Sequence, residues 1–187
     1  IAEVTERAMR GELDFAEALK ARVALLAGLD EAMIERCRAE RVKIMPGAKA
    51  LIQTLRARGC HTVLVSGGFT RFAEPVGEEI GSHKVVANVL DIAGSALSGT
   101  VQFPIVDSAR KKAELEQALG DLALDPTLSI AIGDGANDIP MIEAAGLGVA
   151  YHAKEKTRAA ADADIRYGDL SALLYAQGIA RSGWVED

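Results

Sequence analysis

The sequence is poor in aromatic residues: four Phe, three Tyr and one Trp make up 4% of 187 positions. A core made from such a chain must be aliphatic. Hydrophobic residues at 49% suffice for one sizeable domain, or one domain with a lid. Cysteine is scarcer still. Cys37 and Cys60 stand alone with no CxxC spacing, which argues against a disulfide framework and for a reducing compartment with both thiols as buried packing residues. Long hydrophobic runs are missing, since nothing approaches the roughly 18 residues of a membrane span, and no signal-peptide pattern is present. Positive charge is in deficit. With 21 Lys and Arg against 27 Asp and Glu, a formal net charge of −6, nucleic acid and anionic membranes are excluded as main partners. An anionic ligand would need a local cationic pocket. These absences together point to the cytoplasm.

What is present alternates in texture. In "FAEALKARVALLAGL" the residues Phe15, Leu19, Val23 and Leu26 recur at three- and four-residue steps, which predicts an amphipathic helix. A second helix is predicted in "DEAMIERCRAERV", and a third between Pro46-Gly47 and Gly59. The β-branched run "HTVLVSGG" predicts a strand and is followed by a helix over about Thr70 to Ile80. "VVANVLDIAGSALSGTVQF" suggests a β-hairpin around Gly94 and Gly99, then a charged helix ends before Pro126. "LSIAIGDG" and "LGVAY" read as buried strands, with helices after each, and the tail "RSGWVED" is expected to fray. Strands alternating with helices predict an α/β fold with a doubly wound parallel sheet over 45–187, preceded by a helical segment over 1–44. The chain opens on Ile1 already inside a helical pattern, as the interior of a longer protein would.

Three places can carry chemistry. Ser66-Gly67-Gly68 ends a strand, and its hydroxyl and backbone N–H groups, with a helix start behind them, can hold an oxyanion. The spacing is neither that of a P-loop nor that of a dinucleotide fingerprint, so an NTPase or a nicotinamide oxidoreductase is not supported. Lys111 begins a charged helix between Arg110 and Lys112. An ammonium there is unfavourable with the helix dipole unless an anion relieves it, although lysines at helix starts are most often simply solvated. The third place is "GDGANDIPMI", where Asp134 and Asp138 flank Asn137 on a glycine turn at a strand's carboxyl end. Open α/β sheets bind ligands at such strand ends. Clustered carboxylates are unfavourable without a cation, and Mg2+ suits oxygen ligands of this kind. Hydroxyl, ammonium and a carboxylate-bound cation around one point make a phosphoryl-transfer site. His61, His83 and His152 show no ligand spacing.

"SGGF", Lys111 and "GDGANDIPMI" resemble the second, third and fourth motifs of the haloacid dehalogenase superfamily. More narrowly, "AMRGELDFAEALKARVALL" and "GDGANDIPMIEAAGLGVAYHAK" resemble its phosphoserine phosphatase branch. The resemblance implies a Rossmann-like core with a small helical cap, Mg2+ as cofactor, O-phosphoserine as substrate, and serine and phosphate as products, the last step of serine biosynthesis. It implies that Ser66 and the Gly67 amide contact the phosphoryl group and that Lys111 neutralises charge there. Asp134 would ligate the metal, with Asp138 in support, and Asn137 would reach phosphate or substrate. Arg22 would pair with the substrate carboxylate, while Met9 and Phe15 would close over it. A homodimer is compatible with this reading. The superfamily's first motif, D-x-D-x-T, is absent, and with it the aspartate nucleophile and the central first strand. These 187 residues alone are therefore expected to be inactive. Two alternatives stay open: a phosphatase for another small phosphomonoester, and an inactive binding protein for a phospho-metabolite.

Overall fold

The computed structural model describes residues 15–185. The amphipathic pattern at its start becomes α1 (Phe15–Ala24), which buries Leu19 and Val23. Asp30 then accepts the Ala32 N–H at 2.8 Å and starts α2 (Ala32–Arg41), of which Ile34 alone is buried. Helix α3 (Ala48–Ala57) opens after Gly47, at φ +77°, where a Cβ would come 2.5 Å from the Ser171 nitrogen. Glycine is required there by both conformation and space.

From this point the chain builds parallel pairs. Strand β1 (Val63–Phe69) leads through α4 (Thr70–Ile80) to β2 (Lys84–Asn88), which pairs with β1 in parallel. Strands β3 (Leu90–Ala93) and β4 (Ala96–Val101) form an antiparallel hairpin. Helix α5 (Ser108–Asp121) follows, capped by the Asp107 carboxylate on the Arg110 N–H. Then β5 (Ile130–Gly133), α6 (Ile139–Ala144), β6 (Leu147–Tyr151), α7 (Glu155–Ala160), β7 (Ala163–Ile165) and α8 (Ala172–Ala176) complete the order. Strands β5, β6 and β7 make a second parallel sheet. The stretch expected as one hairpin thus divides: its first residues pair with β1, because Asn88 aligns with Phe69, and only Leu90 onward turns back on itself.

Among the described residues two hydrophobic cores result. One gathers Leu51, Val149, Leu173, Leu174 and Ile179 against the three-stranded sheet. The other gathers Leu19, Val23 and Ile34 with Leu90, Leu97 and Val101 of the hairpin. Backbone bonds from Gly28 and Glu31 to the carbonyls of Leu97 and Ser95, each 2.8 Å, stitch the hairpin to the helical segment. The helices expected over 1–44 therefore share their core with residues from the 45–187 segment.

Strands β1 and β5 belong to separate sheets. Val63, Leu64 and Val65 of β1 are half-buried, as are Ile130 and Ile132 of β5, whereas Val149 and Ala150 of β6, paired on both sides, are 0% exposed. β5, expected as a buried strand, has one strand neighbour, as has β1, and so is covered less than β6.

Two smaller expectations are corrected. Cys37 and Cys60 are exposed. The first lies on α2, whose buried residue is Ile34, and the second follows the Gly59 turn. The tail does not fray up to Val185: Trp184 packs against the second core, its indole N–H donates to the Ile179 carbonyl at 3.1 Å, and the Val185 N–H reaches Thr54 Oγ1 at 2.9 Å. Among the described residues no helix is long and apolar enough to cross a membrane.

Candidate active site

Strand β1 loses register with β2 between Val65 and Phe69, so Ser66, Gly67 and Gly68 leave the ladder at the strand's carboxyl end. The Gly68 N–H donates to Ser66 Oγ at 3.0 Å. Above this turn sits α1: a Cβ at Gly67 would fall 3.1 Å from Phe15 Cζ, tighter than ordinary contact, so the ring packs closely on the glycine backbone. Arg22, Leu19, Val23 and Leu26 face Gly67 and Gly68 across a pocket of about 250 Å³. That is room for a small metabolite. Arg22 braces itself by donating from Nε to the Ala18 carbonyl at 3.2 Å.

Helix α5 brings in the lysine. Lys111 is 7% exposed, and its Nζ donates to Asp138 Oδ1 at 2.6 Å, a pair buried on both sides. Its neighbours in sequence turn away: Arg110 pairs with Glu114, and Lys112 stays exposed beside Glu116. Successive helical residues diverge by about 100°, so one of the three faces inward. The helix is anchored by Glu114, buried at 1% exposure and bonded to Lys84 of β2 at 2.6 Å. Burial opposes ionisation of Glu114, but the Lys84 and Arg110 cations prevail and hold its pKa below the ordinary value.

The acidic turn follows β5. Asp138 Oδ2 accepts the N–H groups of Asp134 (3.1 Å) and Gly135 (3.0 Å) while Oδ1 holds Lys111. Both oxygens of Asp138 are thus engaged by protein donors. Gly133 packs so closely that an added Cβ would come 2.6 Å from Asp138 Cγ. Asn137 is half-buried and folds back over Gly135, where a Cβ would lie 2.5 Å from its Oδ1. Asp134 is exposed. Among the described residues no three His, Cys, Asp or Glu side chains group to hold a metal ion. The arrangement still fits Mg2+, which commonly takes one or two carboxylates and completes its shell with water and phosphate oxygens. Asp134 is the carboxylate the turn leaves for it.

The structure therefore places Arg22 and Gly67 around one pocket, with Phe15 over Gly67 and Ser66 beside it in sequence, and joins Lys111, Asp138 and the Asp134 N–H in a second, hydrogen-bonded group that Asn137 adjoins at Gly135. Met9 lies outside the described residues. The link between the groups is a residue that motif reading missed. Asn88, 1% exposed, donates from Nδ2 to the Gly67 carbonyl at 2.9 Å and accepts the Val106 N–H on Oδ1 at 2.8 Å, just ahead of α5. The available signal was a lone amide inside the apolar run "VVANVL".

The chain matches known proteins over most of its length. The family model described as haloacid dehalogenase-like hydrolase matches residues 3–143. A phosphoserine phosphatase of Streptomyces coelicolor is 46% identical over 181 residues, covering 97% of this chain and 44% of its own length. One from Idiomarina loihiensis is 44% identical over 174 residues, covering 93% of this chain and 79% of its own. The crystal structure of a probable phosphoserine phosphatase from Vibrio cholerae superposes with a TM-score of 0.89 at 37% identity, over 97% of this chain and 56% of that one. The chain thus spans less than half of the Streptomyces coelicolor relative. With a family model matched across most of its residues and a relative covered over most of that relative's length, the chain belongs to the haloacid dehalogenase-like hydrolases.

Proposed function

We propose that this chain supplies the phosphate-, metal- and carboxylate-binding parts of a magnesium-dependent phosphomonoester hydrolase acting on O-phosphoserine. The observation that carries the reading is the juxtaposition of a cationic Arg22 with Gly67 and Gly68, the residues that follow Ser66, across one small pocket. A substrate with a phosphoryl group at one end and a carboxylate at the other satisfies both walls.

In this reading Ser66 Oγ donates its proton to a phosphoryl oxygen, since it already accepts from Gly68 N–H. Lys111, held by Asp138, neutralises charge as it develops on the phosphoryl group. Phe15 covers the turn and limits water access to it. Asp134 would hold Mg2+, which when bound withdraws charge from the phosphate oxygens. Among the described residues the D-x-D spacing of the superfamily's first motif occurs in "DADI", and both of its carboxylates are engaged. In "DADI", Asp162 is bonded to the Gly148 N–H and Asp164 to Arg158 and Arg166. The transferring step itself is therefore assigned to no residue of this chain, and residues 1–187 alone are expected to bind without turning over.

The test uses the full-length gene product with Arg22→Ala. Loss of a charge-assisted contact, about 1.5–3 kcal/mol, should raise KM for O-phosphoserine roughly ten- to a hundredfold. Turnover of an aryl phosphate without a carboxylate should hardly change. Equal losses on both substrates would favour a different small phosphomonoester, and no hydrolysis of either by the unaltered protein would favour a binding role.

A further inference from the structure

We propose that Asn88 is a positioning residue of this site, fixing the Ser66–Gly68 turn and the entry to α5 against one another through a single side chain. The proposal rests on the reading of Ser66 and Lys111 as phosphate contacts.

The orientation of the amide is forced. The Gly67 carbonyl can only accept and the Val106 N–H can only donate, so Nδ2 must face the former and Oδ1 the latter. A carboxamide offers a donor and an acceptor on one planar group, and Asn88 stands at the last position of β2, where register with β1 resumes opposite Phe69. The bulge between Val65 and Phe69 frees the Gly67 carbonyl from the ladder, and Asn88 takes it. The peptide that follows is planar and trans, so its N–H points opposite to its C=O. With the carbonyl pinned inward, the Gly68 N–H is aimed at Ser66 Oγ, 3.0 Å away. The hydroxyl is occupied as an acceptor, and its one proton remains for a ligand.

At the other end, Val106 sits two residues before Ser108, the first residue of α5. Asp107 caps that helix through the Arg110 N–H, and its carbonyl accepts the Lys111 N–H at 3.0 Å. A shift of Asn88 therefore moves the serine hydroxyl on one side and the lysine on the other. A buried asparagine satisfied only for folding would instead affect how much protein is native, leaving the affinity of each native molecule untouched.

The experiment is calorimetric titration of the full-length protein with inorganic phosphate in magnesium buffer, in which the stoichiometry reports the native fraction and Kd reports the site. Asn88→Asp is isosteric and keeps the Val106 bond but puts a carboxylate against the Gly67 carbonyl. It should weaken Kd about tenfold, the scale on which lost positioning partners act. Ser66→Ala should also weaken it, and in the double variant Asn88→Asp should add less than its full tenfold loss, because part of its effect runs through Ser66 and the rest through Lys111. A normal Kd at reduced stoichiometry for Asn88→Asp, with Ser66→Ala impaired, would overturn the positioning role and leave the functional reading intact. A normal Kd for Ser66→Ala would overturn both. Should Asn88→Asp not fold, Asn88→Ala, whose gap water can fill, is read by the same criteria.

Discussion

Replacing Lys111 by methionine should destabilise the protein as well as silence it. Methionine keeps most of the side-chain volume, so packing changes little and the effect is electrostatic. In the structure the ammonium and the Asp138 carboxylate are 2.6 Å apart, with their side chains 8% and 6% exposed. Removing one member of such a pair leaves a buried charge uncompensated, at a cost of about 3–5 kcal/mol. Asp138 retains the Asp134 and Gly135 N–H groups, which places the expectation at the lower end of that range. Against a total stability of roughly 5–15 kcal/mol for a domain, the loss is large.

Controls lie next door. Lys112 is exposed, its nearest carboxylate is Glu116 at 3.5 Å, and Lys112→Met should change stability by no more than about 0.5 kcal/mol. The assay is equilibrium urea unfolding of the full-length variants, and Asp138→Asn with the double variant closes a cycle. A coupling of about 1–3 kcal/mol is expected, because the residues share a contact. Losses below about 1 kcal/mol for Lys111→Met, or equal losses at Lys111 and Lys112, would refute the buried-pair argument and with it the inward lysine.

Asp134→Asn should weaken magnesium dependence far more than it weakens folding, with activity down on the order of a hundredfold and partly restored at raised magnesium; near-normal activity at ordinary magnesium would remove the metal assignment. Asp138→Asn should show the converse balance, with a lower melting temperature and a smaller change in metal affinity. Gly133→Ala forces its Cβ into the Asp138 side chain and should destabilise by about 1–3 kcal/mol in thermal or urea melts. The Glu114 pKa is depressed from its ordinary 4.5 in the folded state, so the unfolded chain binds more protons in the window below that value. Stability from this group is present above about pH 4.5 and is lost as pH falls through the folded pKa; Glu114→Gln should flatten that part of a pH-stability curve.

Much of this was legible in the sequence where local physics decides the outcome. The three-four spacing of Phe15, Leu19 and Val23 found its helix, and the glycines around Ser66 and Asp134 marked strand ends, because these signals act within a few residues. What escaped depends on partners far along the chain. Asn88 is explained only by Gly67 and Val106, each about 20 positions away, and Glu114 only by Lys84 and Arg110 together. The cysteines were misjudged for the same reason: composition makes a thiol a core residue on average, but which helix face is covered is settled by the elements that pack on it. Trp184 was docked, not frayed, because an indole with an acceptor at Ile179 and a core beside it outweighs the mobility of a chain end.

The division of the sheet explains why the site's polar residues are so heavily bonded to one another. β1 carries the serine turn, β5 carries the acidic turn, and the two strands share no ladder. Ladder bonds hold each turn to its own sheet, but they cannot set the distance between turns. That task falls to side chains: Asn88 joins the first turn to the α5 entry, and the Lys111–Asp138 pair joins α5 to the second. Each link is nearly water-free, and a hydrogen bond in such surroundings is stronger and stiffer than one at the surface. Both are also expensive to break, since Lys111 or the Asn88 amide would be left buried without its partner. On the proposed reading, a phosphate-binding geometry assembled from two sheets is only as well defined as these few contacts, and substitutions there should disturb ligand affinity before they disturb secondary structure.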